Sequence, residues 1–306
     1  MDKKKIVIYL AVTYLIAWTL QIIGSLYMVN NPGMTGTLVF QGCLAVCMFA
    51  PLIAALIAKG NLSGMGWKPK FKGRIGWLFF SAYIVVPLTF LGAALFFAVF
   101  PNLFDGNGSY LIATAKEQGV NFTEILEKSG IDMKTYMIIG LIPTTFIAPF
   151  INIITAIGEE TGWRGFLYPE LNKSFGKTGT WIIGGICWSV FHFPAMLLGG
   201  YEYGFDYLGA PWLGLITFTL FCIAAGILEE IVCDRTKCIW YPALLHGSIN
   251  AVASLPQLFM NANDPDLNKM IVLGPLPNGL IAMLPIIIFA VFMAAVTIRR
   301  NKEAKT

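Results

Sequence analysis

Charge is scarce in this chain. Lys, Arg, Asp and Glu make up 12% of its 306 residues, about half the share of a soluble globular domain. Histidine is scarcer still, with only His192 and His246. The six cysteines (Cys43, Cys47, Cys187, Cys222, Cys233 and Cys238) contain no CxxC pair, and most sit in apolar runs. That excludes a thiol zinc cage or a disulfide framework and reads them as reduced core residues. No HExxH occurs. No basic cluster is interleaved with aromatics, so no nucleic-acid partner is expected. Tandem repeats and a soluble appendage are also missing, and 1–306 reads as one membrane-embedded domain.

What the chain does have is apolar length. Hydrophobic residues make up 57%, and a helix needs about 20 apolar residues to cross a bilayer. The charge-free gaps are 6–58, 75–104, 135–158, 178–201, 207–228, 238–263 and 270–298. The first is long enough for two crossings, with Asn30-Asn31-Pro32-Gly33 as the turn between them. An all-α, polytopic helical bundle with about eight transmembrane helices follows. Lys3-Lys4-Lys5 precedes too long an apolar run, without a small-residue cleavage site, to be a signal peptide, so the first helix is read as retained.

Charge placement gives the orientation. With a cytoplasmic N-terminus and alternating sides, 17 of the 21 basic residues fall in cytoplasmic segments, leaving Lys116, Lys128, Lys134 and Lys269 outside. This is the positive-inside pattern, and it places both termini in the cytoplasm. The basic stretches 59–74 and 299–305 read as anchors at the lipid headgroups. The outer segment 105–134 opens with the turn Asp105-Gly106-Asn107-Gly108. It carries a short predicted helix after Asn121, with Glu124 completing a capping box and Gly130 as the stop. It reads as a lid or packing element.

Ionisable groups inside a bilayer cost several kcal/mol, so each is a functional candidate. Both histidines lie within expected spans. Span four ends in Gly158-Glu159-Glu160-Thr161-Gly162-Trp163-Arg164, and its apolar character continues to Tyr168, where Pro169 is expected to stop the helix. Glu160 and Arg164 are i and i+4, the favourable order for an ion pair, which leaves Glu159 free to face the bundle. In span seven His246 and Asn250 also stand at i and i+4, and a side-chain amide is a good oxyanion donor. The second acidic pair, Glu229-Glu230, has no Trp-Arg partner nearby and reads as interfacial.

Together these motifs resemble the CPBP family of intramembrane proteases, which includes the CAAX-prenyl endoproteases and bacterial bacteriocin-processing and immunity proteins. Its EExxxR motif appears as Glu159-Glu160-Thr161-Gly162-Trp163-Arg164, and its HxxxN motif as His246-Gly247-Ser248-Ile249-Asn250. Its FxxxH motif appears as Trp188-Ser189-Val190-Phe191-His192, with Trp188 in place of the usual Phe. The resemblance covers about 140–255. It implies an endopeptidase that hydrolyses a peptide bond near the cytoplasmic membrane surface, on a membrane-anchored or prenylated partner. The expected location is a multi-pass, integral position in a bacterial plasma membrane.

Two mechanisms fit that resemblance. In one, Glu159 is the general base, His192 positions the attacking water, and His246 and Asn250 stabilise the oxyanion. In the other, zinc or another divalent metal is held by His192, His246 and either Glu159 or Glu160. A proton-coupled transporter would also bury Glu, His and Asn, but it would show matching halves, which this chain lacks. A non-catalytic immunity or binding protein on the same scaffold remains a sequence-compatible alternative. Helical rise puts Glu159 about 13 Å, His246 about 10 Å and His192 about 20 Å from the cytoplasmic helix ends. One cavity open to the cytoplasm therefore needs the fifth helix distorted, at Pro194 or at Gly184-Gly185.

Overall fold

The computed structural model describes residues 2–303. Among them all regular elements are helical, apart from one isolated bridge between Phe104 and Met260. Helix α1 (Lys3–Asn30) is capped by Asp2, whose Oδ1 accepts from the Lys5 amide at 3.2 Å. Its buried face repeats at every fourth residue through Tyr9, Thr13, Ala17, Gln21 and Ser25, one stripe of a helix. Val7 and Leu15 point outward, 65% and 70% exposed. Small and polar groups inside with large apolar groups outside is the arrangement that lipid selects, since a helix satisfies its own backbone.

The chain returns through α2 (Met34–Cys47) and α3 (Ala50–Lys59), then crosses again through α4 (Ile75–Tyr83) and α5 (Val85–Val99). The next segment carries α6 (Ser109–Glu117) and α7 (Phe122–Ser129). Asn121 caps α7 by accepting from the Glu124 amide; the Glu124 carboxylate returns to the Asn121 side-chain amide rather than to its backbone N–H, and Gly130 closes α7 at φ 66°. Then come α8 (Met133–Phe146) and α9 (Ala148–Gly162), a π-helical turn over Trp163–Leu167, α10 (Tyr168–Gly199), α11 (Trp212–Thr236) and α12 (Trp240–Val252). A short α13 (Leu267–Met270) precedes α14 (Leu284–Glu303).

Side-chain contacts fix the directions. Helix α10 runs beside α1 in the same sense, with Tyr14 donating to Cys187 O, Trp18 to Val190 O and Gln21 to Phe191 O. Helix α9 lies so close to α2 and α3 that a Cβ on Gly158 would stand 2.7 Å from Met48 O. The segments 60–74, 163–177 and 234–241 meet at one end. There the Ile239 amide donates to Gly66 O (3.0 Å), the Trp240 indole to Trp67 O (2.9 Å), and Lys177 pairs with Asp234 (2.6 Å). We call this the basic end, because the lysines of 59–74 and Arg299 and Arg300 lie there. The opposite end joins Asp105 to Phe259 O, Leu208 to Lys269 O and the Tyr203 hydroxyl to Asn278 O.

Six helical runs are long and apolar enough to cross a membrane. One of them, Ala148–Gly199, holds two crossings, because α10 doubles back along α9. The remaining crossing, α12, has 13 residues, or about 20 Å, and the 3-10 turn Leu255–Phe259 extends it. Eight passes are thus present as directions of the chain. Pro169 does not stop the fourth helix; it sits in the first turn of α10, where its missing N–H costs nothing. The chain bends at Gly176 instead, where φ 62° and ψ −178° suit glycine.

Pro194 opens α10 as expected, whereas Gly184 and Gly185 give close approach, to Tyr168 and Ile223 respectively. Proline lacks the N–H that Val190 O would accept, and the Trp18 indole supplies a donor at 3.2 Å. Gln21 inserts its amide into the next rung, with Nε2 donating to Phe191 O at 2.8 Å and Oε1 accepting from the Ala195 N–H at 3.2 Å. His192 stands inside this opened turn.

Candidate functional site

Trp188 is the hub of the buried polar cluster. Its indole N–H donates to Glu159 Oε2 at 2.8 Å, and the Trp163 indole donates to the same oxygen at 3.0 Å. Glu159 Oε1 takes no donor from the protein, although the residue is buried. One carboxylate oxygen is thus tethered and the other is left for a ligand. The Trp188 carbonyl accepts from His192 Nδ1 at 3.0 Å. A carbonyl can only accept, so that nitrogen carries the proton and Nε2 presents a lone pair. The Trp188 ring also packs against His246, centroids 5.1 Å apart, and lies 4.8 Å from the Arg164 guanidinium carbon.

Glu160 does different work. Its Oε1 accepts from Arg164 Nη1 at 2.8 Å and from His246 Nδ1 at 2.9 Å, and the i, i+4 pair expected with Arg164 is therefore formed. This bond turns His246 Nε2 toward the cavity, the way an aspartate orients the base of a catalytic triad. Arg164 is wholly buried between the Tyr168 and Trp188 rings, and its Nη2 pairs with Glu229 Oε2 at 2.5 Å. Arg164 faces both carboxylates, and the His246 Nδ1–H also points at Glu160. An uncompensated charge there would cost several kcal/mol.

Glu229 corrects the sequence reading. Its side chain is fully buried and faces Arg164, whereas the sequence placed the pair Glu229-Glu230 at the interface. Only Glu230 approaches that description, lining a second cavity at the basic end with Lys68, Lys70 and Asp234. The missed signal is that Arg164, a bidentate donor, needs a second carboxylate at its depth. Glu229 closes an apolar run at that depth.

His192, His246 and Asn250 line one cavity of about 880 Å³, together with Trp188, Asn152 and Thr155. Asn250 is exposed to it. Glu159 and Glu160 stand behind this wall, 1% and 0% exposed. The rest of the lining, including Met28, Thr37, Tyr110, Gly199–Gly204, Ser254 and Asn268, comes from the end opposite the basic loops. The expected opening toward the cytoplasmic, basic end is thereby corrected. The cause is the long α10, which runs on from Gly176 so that His192 lies seven residues before its Gly199 end.

A metal site needs ligand atoms that converge on one point. The ligand atoms that cluster within 4.8 Å belong to Glu160, Glu229 and His246, not to the expected set of Glu159, Glu160, His192 and His246. Arg164 already pairs with both of those carboxylates. A divalent cation at that cluster would have to displace a buried guanidinium or sit beside it.

Comparison with known proteins agrees with this geometry. Residues 141–252 match the family described as type II CAAX prenyl endopeptidase Rce1-like. The chain is also similar to "CAAX prenyl protease 2" of Methanococcus maripaludis, 31% identical over 103 residues, which is 33% of this chain and 37% of that protein. The match therefore spans well under half of that relative's length. It covers the three helical segments that meet at Trp188, Glu160 and His246. Over that segment the chain is similar to CAAX-type prenyl endopeptidases.

Proposed function

We propose that the chain is an intramembrane endopeptidase in which Glu159 activates the attacking water. The observation that carries this reading is the asymmetry of Glu159, with Oε2 tethered by two indoles and Oε1 without a protein donor. Water donates one hydrogen to Glu159 Oε1 and the other to His192 Nε2, which aims its oxygen lone pair at the scissile carbonyl. As the C–O bond forms, Glu159 takes the proton. The resulting oxyanion accepts from His246 Nε2–H and the Asn250 side-chain amide. Collapse then breaks the C–N bond, and Glu159 passes its proton to the leaving amine.

The names of the matching family and relative point to prenylated or otherwise membrane-anchored peptides as substrates. The position of the cavity mouth supports a reaction on the side of the bundle away from the basic loops. In the test, purified chain in detergent is incubated with a farnesylated peptide and with an acylated peptide, with and without a strong chelator. Cleavage that persists in chelator and is lost in Glu159→Gln supports the reading. Cleavage by Glu159→Gln at the wild-type rate overturns it, and so does a wild-type chain that binds these peptides without cutting them.

A further inference from the structure

The cavity that holds the histidines has a lip formed by Gly199–Gly204, and one residue of that lip has no role in the chemistry above. Glu202 adopts φ 75°, and the only other positive-φ residue besides glycines, among those described, is Lys237. The left-handed region is strained for a residue with a side chain, so such a conformation persists only where its surroundings fix it. Here they do. The Tyr201 amide donates to Ala195 O, the Tyr203 amide to Tyr201 O and the Gly204 amide to Gly200 O. The Tyr203 hydroxyl ties the lip to Asn278 O at 2.7 Å.

What this places in the cavity is a carboxylate without a countercharge. No Lys or Arg lines the cavity. Glu202 accepts only from neutral donors, the Asn278 amide at 2.5 Å and the Tyr201 hydroxyl. Asn278, 3% exposed, keeps its Oδ1 without a donor, so acceptors outnumber donors in this corner. A half-buried carboxylate in that setting is stabilised by an arriving cation with several N–H groups. Burial alone pushes its carboxyl up to about 7, the mark of a missing partner. The corner is also close to the reacting groups, because the Tyr201 ring stacks on His192 with centroids 6.1 Å apart and planes 9° from parallel.

We propose that Glu202, with Asn278, forms a subsite for a cationic group of the substrate near the scissile bond. The group is an ammonium or guanidinium, carried either by a side chain or by a free N-terminus. This rests on the reading of the cavity as a peptide site. The test therefore uses binding rather than cleavage, with the Glu159→Gln chain in detergent so that nothing is turned over. Farnesylated fluorescent peptides carry a lysine at successive positions or norleucine in its place, each with a free or an acetylated N-terminus. Fluorescence anisotropy reads their affinity.

The expected result is at least tenfold tighter binding for lysine at one position, or for the free N-terminus. Adding Glu202→Gln should abolish that preference while leaving the norleucine, acetylated peptide unchanged. The first preference identifies a side-chain cation and the second a terminal one. Peptides that bind equally with and without the cation overturn the subsite and leave the peptide site standing. A preference that survives Glu202→Gln likewise assigns the cation to another group. Absence of binding in every arm overturns the peptide site itself, and the subsite with it. The lysine–norleucine comparison in the Glu202-intact chain decides for or against the subsite even if the Glu202→Gln protein does not fold.

Discussion

Replacing Trp188 with phenylalanine isolates one hydrogen atom. Phenylalanine keeps an aromatic ring between Arg164 and His246 but removes the N–H that reaches Glu159 Oε2 at 2.8 Å. A hydrogen bond to a charged group contributes roughly 1.5–3 kcal/mol, which converts to about ten- to 150-fold in rate if it is needed in the transition state. The Trp163 indole remains at 3.0 Å, so Glu159 keeps one tether and the lower half of that range is expected. The loss should fall on kcat with KM little changed, because the carboxylate touches the water rather than the peptide. Trp163→Phe should act similarly. The double variant should lose more than the product of the two, since the second removal leaves the oxygen without a donor. The assay is steady-state cleavage of a farnesylated peptide, run beside thermal unfolding of the same samples. Unchanged kcat in Trp188→Phe would refute the tether, as would a loss that merely follows a lower Tm.

Arg164→Met should destabilise the fold by about 3–5 kcal/mol, because it strands the buried Glu160 and Glu229 carboxylates; adding Glu229→Gln should restore part of the Tm. Gln21→Leu orphans Phe191 O and the Ala195 amide, each at about 1–3 kcal/mol, and should lower both Tm and kcat although Gln21 does not line the cavity. Reporter thiols at Asn268→Cys and Lys68→Cys should react with an impermeant maleimide from opposite sides of a sealed vesicle. Ligand in the cavity should protect only the Asn268 position, because Asn268 lines that cavity and Lys68 lines the one at the basic end.

The sequence was most legible where a charge or a turn residue carries its own cost. Charge-free gaps marked the passes, and Asn30-Asn31-Pro32-Gly33 marked the first reversal, which the structure places between α1 and α2. Asn121, Glu124 and Gly130 marked α7 to the residue. The Glu160–Arg164 pair followed from spacing, since i and i+4 share a helix face. What stayed hidden depended on contacts between helices far apart in the chain. Glu229 looked interfacial because nothing near it in sequence pairs with it; its partner is Arg164, 65 residues earlier. Trp188 looked like a plain aromatic replacement because a motif records ring against ring and not where an indole N–H points. The side on which the cavity opens also depends on how far α10 runs past His192, and a depth counted from one helix end does not contain that.

The rung at Pro194 has a consequence for how the protein is made. The match to known proteases begins at residue 141, yet the helix bearing His192 is completed by Trp18 and Gln21 from α1. Until that helix docks, α10 would present to lipid the Val190 carbonyl, which Pro194 leaves without a donor, beside a Phe191–Ala195 rung that Gln21 no longer bridges. During synthesis α1 enters the membrane before α10 and carries a glutamine that is awkward there by itself. Each segment is therefore incomplete without the other, and α1 behaves as an in-built assembly chaperone held in wait for a helix synthesised some 170 residues later. Expressed without α1, the 141–252 segment should be recognised by membrane quality control as unfinished, however intact its motifs.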